Sequence, residues 1–371
     1  MNRRNFIHKT AFAAGSAPFA SLGSINTPIR SKQKKLGIAV LGLGFFASYV
    51  IPRIQNSSRV RVVSLISSER EKALEWATQY AIPKRNIYHY ENMSEIAENE
   101  EIEGVYIVTP VGTHCEFTLQ MLGAGKHVIV EKTMAANVED GEKMVALARE
   151  RRLKLMVAYR ARYEPYNQQM IEFTQNQTYG RITSIAAHKG FHIGDKLGKN
   201  NWRIKKSLSG GGALVDIGIY SIQVCRYIVG EEPREVSAFY SKAPEDDRFE
   251  EVEEDITFMM KFANGILATG SASWSYSLQN YYRVSAEKGY YELQPATSNG
   301  NLRMIIKQTN PTFIGERFFR NEDQIVAEFD HFAACIQDDK EPKTNGVEGL
   351  KDLKVIEAIY RAAQEHRIVS L

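Results

Sequence analysis

Cysteine is scarce in this sequence, with three residues in a chain of 371. An odd number of cysteines excludes a closed disulfide framework, and a separation of more than a hundred residues does not match the ligand spacing of a metal site. We therefore predict no metal, and we expect small buried side chains rather than reactive thiols. The three are Cys115, Cys225 and Cys335.

Net charge is also low, at a formal +3. Residues 1–30 contain four basic residues and no acid, so the rest of the chain is close to neutral. A nearly neutral body does not favour nucleic acid or an anionic membrane as a partner. The length of 371 residues, with 43% hydrophobic and 25% charged residues, is typical of a soluble globular protein with two domains.

The amino terminus carries Arg3 and Arg4 ahead of a weakly apolar stretch, residues 11–22, that is too short to span a bilayer. The pattern resembles a bacterial twin-arginine export signal, and the alternative is a disordered terminus with a chance arginine pair. We expect residues 1–34 to form the signal and an arm, and the protein to be periplasmic, with a cytoplasmic location as the alternative. The twin-arginine machinery carries folded proteins, so a cofactor would have to be tightly bound.

The sequence of residues 35–157 predicts a dinucleotide-binding domain. An apolar strand, residues 36–41, runs into the turn Gly42-Leu43-Gly44-Phe45-Phe46-Ala47, and a second strand follows at residues 60–66. In such a unit the glycines allow a tight turn and a close approach to a pyrophosphate, which faces the amides of the next helix. Gly42, Gly44, Phe45 and Phe46 are therefore predicted to bind the cofactor.

The end of the second strand predicts which dinucleotide binds. An acid there would hold the ribose hydroxyls of NAD, but this chain has Ser67 and Ser68, with Arg70 and Lys72 just beyond. Hydroxyls and cations suit a 2′-phosphate, so we predict NADP, with NAD as the alternative. The competing interpretation is that Arg70 and Lys72 lie on an exposed helix without a ligand.

Two further strands end in polar residues. Residues 103–108 lead to Thr109-Pro110 and then to His114 at a helix start, and residues 125–130 lead to Glu131-Lys132. Ligands of open parallel sheets bind at the carboxyl ends of strands, so we place these residues near the cofactor and Lys132 near the chemistry. A locally satisfied His114 and a solvated Lys132 are the alternatives.

Residues 158–371 are expected to form an α+β substrate-binding and oligomerisation domain. Strand-like runs occur at residues 235–240, 255–262, 266–274, 281–286 and 302–308, and helical periodicity at 324–337 and 347–366. Ala263-Asn264-Gly265 predicts a hairpin, and hairpins imply a large, mainly antiparallel open sheet. Its second face needs a cover, so we expect a homo-oligomer, a dimer or a tetramer.

The stretch from Gly210 to Tyr220 holds three glycines, then an apolar run with Asp216 and Tyr220 four residues apart. On a helix this spacing puts both polar groups on one face. We expect the pair to face a cleft, with the glycines allowing a close approach to ligand. A core helix with locally satisfied polar groups is the alternative.

Several motifs occur in the order seen in one family of oxidoreductases. They are Gly42 to Ala47, Thr109-Pro110, Glu131-Lys132, Tyr159 to Pro165, Asn201-Trp202-Arg203, Gly210 to Tyr220 and Arg226 to Pro233. Together with the export signal they resemble the Gfo/Idh/MocA oxidoreductases from Lys35 onward. The fold implied is α/β: a Rossmann domain, residues 35–157, followed by the α+β domain.

The resemblance implies roles for individual residues. The catalytic positions correspond to Lys132, Asp216 and Tyr220, and the NADP-discriminating positions to Ser67 and Lys72. The expected substrate contacts are Lys132, Arg160, Trp202, Arg203, Asp216 and Tyr220. The chain departs from the family at Thr133, where proline is usual, and this change frees a backbone angle and restores an amide proton.

These residues predict reversible hydride transfer between NADP and a carbohydrate. Tyr220 would move the hydroxyl proton, a nearby Lys132 ammonium would favour its phenolate form, and Asp216 would orient the sugar. An exported enzyme with a tightly bound cofactor would need a second sugar to recycle it. The alternatives are a hydrolase or epimerase that oxidises its sugar transiently, and a sugar-binding protein with a structural cofactor.

Overall fold

The computed structural model describes residues 34–194, 197–320 and 322–371. The predicted export signal lies outside these residues. Residues Lys34–Leu371 form one compact unit that contains two β-sheets.

The first sheet is parallel and follows the predicted dinucleotide-binding domain. Its strands are β1 (Leu36–Leu41), β2 (Val60–Ile66), β3 (Ile87–Tyr88), β4 (Gly104–Ile107), β5 (His127–Glu131) and β6 (Leu155–Ala158), and its helices are α1 (Phe45–Ile54), α2 (Arg70–Gln79), α3 (His114–Gly123) and α4 (Val138–Arg151). The strand order is β3-β2-β1-β4-β5-β6. Every residue of β1, β4 and β6 is buried, because helices cover both faces. The Rossmann prediction is confirmed.

The second sheet has nine strands in the order β14-β13-β12-β11-β7-β10-β9-β8-β15. The strands are β7 (Ile182–Phe191), β8 (Pro233–Ser241), β9 (Asp255–Phe262), β10 (Leu267–Ser273), β11 (Leu278–Ala286), β12 (Gly289–Leu293), β13 (Met304–Thr309), β14 (Thr312–Arg317) and β15 (Val369–Ser370). Neighbours pair antiparallel except β7 with β10, so the sheet is mixed but mostly antiparallel, as predicted. Sequence patterns did not predict β12, β14 or β15.

Within the described residues, five α-helices follow the parallel sheet along the chain. They are α5 (Pro165–Gln175), α6 (Lys206–Ser209), α7 (Ile219–Val229), α8 (Gln324–Gln337) and α9 (Gly346–Glu365). The helical run from Lys206 to Val229 is long and apolar enough for a membrane span, but 83% of its most apolar window is buried within the fold. It is therefore a core element that anchors the predicted catalytic stretch.

Packing and chain order differ at α8. This helix follows the second sheet in sequence, yet Ile325, Phe329 and Phe332 pack with Leu36 and Ile38 in the core of the parallel sheet. The predicted boundary at residue 158 therefore describes the sequence order, whereas α8 belongs by packing to the first sheet. Because α8 packs against the first sheet, its residues lie beside Glu131 at the end of β5 and Arg160 just after β6.

Candidate active site

The carboxyl end of β5 delivers Lys132 to the predicted catalytic stretch. Its Nζ lies 2.5 Å from the backbone oxygen of Asp216 and 3.6 Å from the Oδ1 of the same residue. The Lys132 and Asp216 side chains are 16% and 22% exposed. The pair is thus shielded from bulk water and still accessible to a small ligand.

A π-helix carries Asp216, where the sequence predicted regular α-helix. Leu214–Gly218 is π-helical and passes into α7 at Ile219. A π-helical turn is wider than an α-helical one and is frequent at functional sites. Two successive carbonyls of this segment bind side chains outside the helix, Val215 to the hydroxyl of Thr133 at 2.9 Å and Asp216 to Lys132. The segment is therefore not the regular α-helix that was predicted, but Asp216 and Tyr220 still lie on one side of it, since the Lys132 Nζ is 3.6 Å from the Asp216 Oδ1 and 5.5 Å from the Tyr220 ring centroid.

Thr133 explains how the lysine is held without the usual proline. Its side chain is buried at 1% exposure, and the hydroxyl donates to Val215, a bond that proline cannot make. Lys132 and Thr133 thus bind adjacent carbonyls of the same π-helical turn. The departure from the family pattern adds an anchor beside the lysine.

We expect Thr133→Val to lower the free energy of unfolding by about 1–3 kcal/mol, because the buried carbonyl of Val215 loses its donor while the volume of the side chain is kept. The measurement is the midpoint of unfolding in urea. Thr133→Ser is the matched control, since it retains the hydroxyl. Equal midpoints for the valine variant and the wild type would show that this bond contributes nothing.

The glycines before the π-helix pack against protein rather than ligand, which corrects the predicted close approach to a ligand. A Cβ on Gly211 would lie 2.2 Å from the Tyr360 hydroxyl, and one on Gly212 would lie 2.0 Å from the Glu253 backbone oxygen. The Glu253 carboxylate accepts from the amide of Gly212 at 3.1 Å and from that of Leu214 at 2.9 Å. The glycines therefore let a buried acid cap the start of the catalytic segment.

Tyr220, in the first turn of α7, is surrounded by three basic side chains. The Nζ of Lys132 lies 5.5 Å from its ring centroid, the Cζ of Arg160 lies 5.4 Å away and the Nζ of Lys189 lies 5.7 Å away. Cations within about 6 Å of an aromatic face are attracted to it. Three basic groups therefore border the Tyr220 ring.

Asp216 is held from its other side by Arg203, whose Nε lies 3.3 Å from Oδ2. The Arg203 guanidinium also stacks over the Trp202 ring at 4.6 Å. Asp216 therefore lies between Lys132 and Arg203, with Trp202 at the outer edge of the group. The structure brings all of these predicted substrate contacts together.

Arg160 reaches Tyr220 from the 3₁₀ turn that follows β6. Its guanidinium donates to the side chains of Asn299 and Gln324 at 2.7 and 2.8 Å and to the carbonyl of Thr297 at 2.7 Å. These acceptors are neutral, so the hydrogen bonds fix the guanidinium without cancelling its charge. The loop after β12 and the start of α8 thus orient Arg160 toward the site.

Lys189 and Glu328 are site residues that the sequence patterns did not single out. Lys189 lies on β7, where burial and then the charges of Arg160 and Lys132 lower its pKa to about 7. Glu328 of α8 is 2% exposed, and burial, reinforced by Glu131, raises its pKa well above the usual range. A lysine within a strand and an acid within a helix carry no local signal, because only tertiary packing brings them here.

Glu131, the last residue of β5, is half-buried next to the lysine. Its Oε1 accepts from the Tyr106 hydroxyl at 2.7 Å and its Oε2 from the Lys132 amide at 3.2 Å. Burial raises the pKa of Glu131, against the opposing effects of Tyr106 and Lys132. This carboxyl group thus fixes the end of β5 and faces the protein interior.

His114 has no accessible surface and is placed as a structural residue. Its ring nitrogens lie 2.9 Å from the backbone oxygens of Thr109 and Thr133, the residues just beyond β4 and β5. Burial lowers its pKa to about 4 despite these two carbonyls. The local alternative therefore describes His114 better than the predicted contact with a cofactor, and the ring ties two site-forming turns together.

The glycine turn after β1 fits the pyrophosphate of a dinucleotide. Gly42 has φ +99°, and a Cβ there would lie 2.8 Å from the Thr109 side chain, whereas a Cβ on Gly44 would meet nothing within 4 Å. The first turn of α1 contains no acid, and no side chain caps its amides. Phe45 is 89% exposed and Phe46 is half-buried beside this free helix end. A helix amino terminus of this kind binds phosphate through its amides and its dipole.

The predicted 2′-phosphate residues lie at the end of β2. Ser67 is buried and its hydroxyl accepts from the Glu69 amide at 3.0 Å, whereas Ser68 and Arg70 are exposed. Lys72 pairs with Glu69 at 3.6 Å. Glu69, directly after Ser68, is an acid close to the predicted position of the ribose. Arg70 and Ser68 are thus the side chains of this group that are open to a phosphate.

The described residues, 34–194, 197–320 and 322–371, contain no group of three or more His, Cys, Asp or Glu side chains that could hold a metal ion. Cys225 and Cys335 are buried free thiols, and Cys115 is partly buried.

Comparisons with known proteins agree with this geometry. Residues 36–159 match the Gfo/Idh/MocA oxidoreductase family model with an NAD-binding Rossmann fold, and residues 167–292 match the Gfo/Idh/MocA C-terminal domain. The aldose-aldose oxidoreductase of Caulobacter crescentus, solved with glycerol, is 40% identical, with a TM-score of 0.87 over 91% of this chain and 100% of that one.

Two curated relatives are more distant. D-xylose 1-dehydrogenase [NADP(+)] of Haloarcula marismortui is 28% identical and covers 90% of this chain and 92% of its own length. Trans-1,2-dihydrobenzene-1,2-diol dehydrogenase of Mus musculus is 28% identical over 81% of this chain and 84% of its own. Two family models in series and a 40% identical structure thus cover both sheets, and the chain belongs to the Gfo/Idh/MocA family of NAD(P)-dependent oxidoreductases.

Proposed function

We propose that this protein transfers hydride reversibly between NADP and the carbinol or hemiacetal carbon of a sugar. The observation that carries the proposal is the arrangement around Tyr220: one phenol ringed by Lys132, Arg160 and Lys189, beside an Asp216 carboxylate held by Lys132 and Arg203. Hydride removal from a carbinol needs a base for the hydroxyl proton, and the reverse reaction needs an acid.

Different residues of the chain would transfer the proton and bind the sugar. Tyr220 would accept the hydroxyl proton as a phenolate and return it as a phenol, and the charges of Lys132 and Arg160 would stabilise the phenolate. Asp216 accepts a second sugar hydroxyl, while Arg203 and Trp202 provide donors and an apolar face for the ring. When bound, the nicotinamide supplies the hydride acceptor.

The relatives support a sugar substrate and bear on cofactor recycling. A neighbour at 40% identity is named for oxidising and reducing aldoses, and a relative at 28% identity is named for D-xylose and NADP. The motif set is also similar to that of glucose-fructose oxidoreductase. We therefore favour a ping-pong reaction in which one sugar reduces a tightly bound cofactor and a second sugar reoxidises it.

The test is to mix the purified holoprotein with a panel of aldoses and ketoses and to follow the absorbance of the reduced nicotinamide. We expect an aldose to reduce the bound cofactor without added NADP, and a second sugar to restore the oxidised spectrum. Products with no net redox change would instead indicate an epimerase or a hydrolase. A ligand that binds without any spectral response would indicate a sugar-binding protein.

NADP rather than NAD is part of this proposal. Ser67, Ser68 and Arg70 at the end of β2 support it, whereas Glu69 offers an acid for ribose hydroxyls and pairs with Lys72. Mass spectrometry of the cofactor released from the purified protein decides the matter. A released cofactor without the 2′-phosphate would overturn the NADP assignment and leave the sugar chemistry intact.

We also propose a homo-oligomer, a dimer or a tetramer, formed through the outer face of the nine-stranded sheet. Phe239, Met259 and Leu267 are exposed on that face, at 74%, 44% and 44%, on the adjacent strands β8, β9 and β10. Exposed apolar residues on an open sheet favour pairing with a second copy. Light scattering in solution gives the number of chains.

Periplasmic export through the twin-arginine machinery remains a proposal that rests on Arg3 and Arg4. Mass spectrometry of the mature amino terminus from a periplasmic fraction tests it. An intact Met1 found only in the cytosol would show a cytoplasmic protein.

A further inference from the structure

We propose that Lys189 is a second proton-transfer residue of this site, which holds as an ammonium ion the proton that leaves the sugar hydroxyl through Tyr220. The inference rests on the proposed sugar oxidation and adds to it the place where the proton stays between the two half-reactions. The position of Lys189, 5.7 Å from the Tyr220 ring centroid, and its hydrogen bond to Thr297 support it.

Lys189 is held on the covered face of the second sheet. It lies on β7 opposite Asn280 of β11 and Ala272 of β10. Its Nζ donates to the Thr297 hydroxyl, which in turn donates to the Asn280 side chain at 3.0 Å. A neutral amine that donates one hydrogen bond keeps its lone pair, so this lysine can accept a proton without losing its anchor.

The charges that face Lys189 come from four segments of the chain. Arg160 follows β6, Lys132 follows β5, Asp216 lies on the π-helix and the Tyr220 ring lies in α7. Burial and the two cations lower the pKa of Lys189 to about 7, and Asp216 opposes them. Asp216 is already paired with Lys132 and Arg203, so its effect on Lys189 is the weaker one.

The two half-reactions together conserve protons and electrons. In the first half-reaction the sugar C–H electron pair leaves as hydride to the bound nicotinamide, and the O–H proton passes to Tyr220. The Tyr220 proton passes to the neutral Lys189 amine, which becomes an ammonium ion. In the second half-reaction the ammonium returns this proton through Tyr220 to the oxygen of the second sugar's carbonyl group as hydride is returned. No proton has to be exchanged with solvent.

The expected signature is a pair of opposite pH limbs. The oxidative half-reaction needs the neutral amine, so its rate should rise as pH increases through about 7, whereas the reductive half-reaction needs the ammonium and should fall through the same range. Both limbs should be absent in Lys189→Met and in Lys189→Arg. The matched control is Lys261→Met, which alters a half-exposed lysine on β9 paired with Glu235 and should keep both limbs.

Rapid mixing of each holoprotein with sugar, on both sides of neutral pH, measures the limbs. A slower Lys189→Met variant that keeps both limbs unchanged would overturn the proposal, because a structural role lowers the rate without moving the pH profile. Retention of cofactor and an unchanged unfolding midpoint show that each variant is folded.

A second measurement needs no sugar and no variant. Wild-type holoprotein is labelled with a trace of acetic anhydride at a series of pH values, and peptide mass spectrometry reports when each lysine becomes reactive. Lys189 should become reactive near neutral pH, well below the exposed lysines, whose ordinary pKa is about 10.4. Reactivity that follows the exposed lysines would overturn the assignment. Failure of every sugar to reduce the cofactor would overturn the proposed function while this labelling still decides the state of Lys189.

Discussion

Replacement of Tyr220 by phenylalanine is expected to lower turnover by roughly a hundredfold or more, the usual size of a general acid–base contribution. The variant removes one oxygen and keeps the ring that Lys132, Arg160 and Lys189 surround. The measurement is the single-turnover rate at which sugar reduces the bound nicotinamide. Because the proton has lost its acceptor, the loss should appear in the rate at saturating sugar rather than in sugar affinity.

Tyr282→Phe is the matched control for this experiment. Tyr282 is a buried tyrosine of β11 whose hydroxyl donates to the backbone oxygen of Tyr220 at 3.3 Å. This variant loses the same atom next to the same residue, and of Lys132, Arg160 and Lys189 only Arg160 acts on the Tyr282 hydroxyl. We expect the control to keep turnover within a few-fold of wild type. Equal losses in both variants, or wild-type turnover in Tyr220→Phe, would remove Tyr220 from the proton-transfer role.

The sequence predicted the members of the site better than their arrangement. Lys132, Asp216, Tyr220 and Arg203 were all identified, because strand ends of a parallel sheet and motif order place them at one cleft. The π-helix was not predictable from spacing, since it is fixed by Lys132 and Thr133, which lie 84 and 82 residues away from the carbonyls that they bind. Local spacing assumes a regular helix, and contacts from distant strands changed it.

The incorrect predictions for the glycines and for His114 also arise because contacts with distant segments decide where a residue points. The glycines at 211 and 212 indicated close approach correctly, but the neighbours are Tyr360 and Glu253, and a sequence cannot tell a protein neighbour from a ligand. His114 follows a strand end as the other site residues do, yet its side chain turns inward to two carbonyls. The residue type and position were predicted, and the direction of the side chain was not.

Lys189 shows most clearly what local sequence patterns cannot predict. Its alternation on β7 places it on the covered face, where a charge is unusual, but its effect depends on the register that pairs it with Asn280 and on the loop that brings Thr297. The same loop orients Arg160 through its Thr297 carbonyl. One loop of the second sheet therefore fixes Lys189 and Arg160, two of the three basic groups around Tyr220. Local sequence patterns cannot predict this, because it depends on contacts between distant segments.

Lys132 is the third basic group beside Tyr220. Lys132→Met is expected to lower turnover by about 10² to 10⁴, the range seen when one proton-transfer or charge-stabilising group is removed. The variant keeps an unbranched apolar stem but removes the ammonium beside Tyr220 and Asp216. Asp216 keeps its pairing with Arg203 at 3.3 Å, so cofactor and fold should be retained. The measurement is again the single-turnover reduction of the bound nicotinamide.

A double-variant cycle separates chemistry from anchoring. If Lys132 acts by stabilising the Tyr220 phenolate, then Lys132→Met adds little to Tyr220→Phe, and the double variant should be about as slow as the slower single variant. If Lys132 only anchors the π-helix through the Asp216 carbonyl, the two losses should multiply. Thr133→Val is the reference for anchoring alone, because it removes the bond to the adjacent carbonyl without touching the charge. A multiplicative cycle, with Thr133→Val as slow as Lys132→Met, would assign Lys132 to structure and leave stabilisation of the phenolate to Arg160.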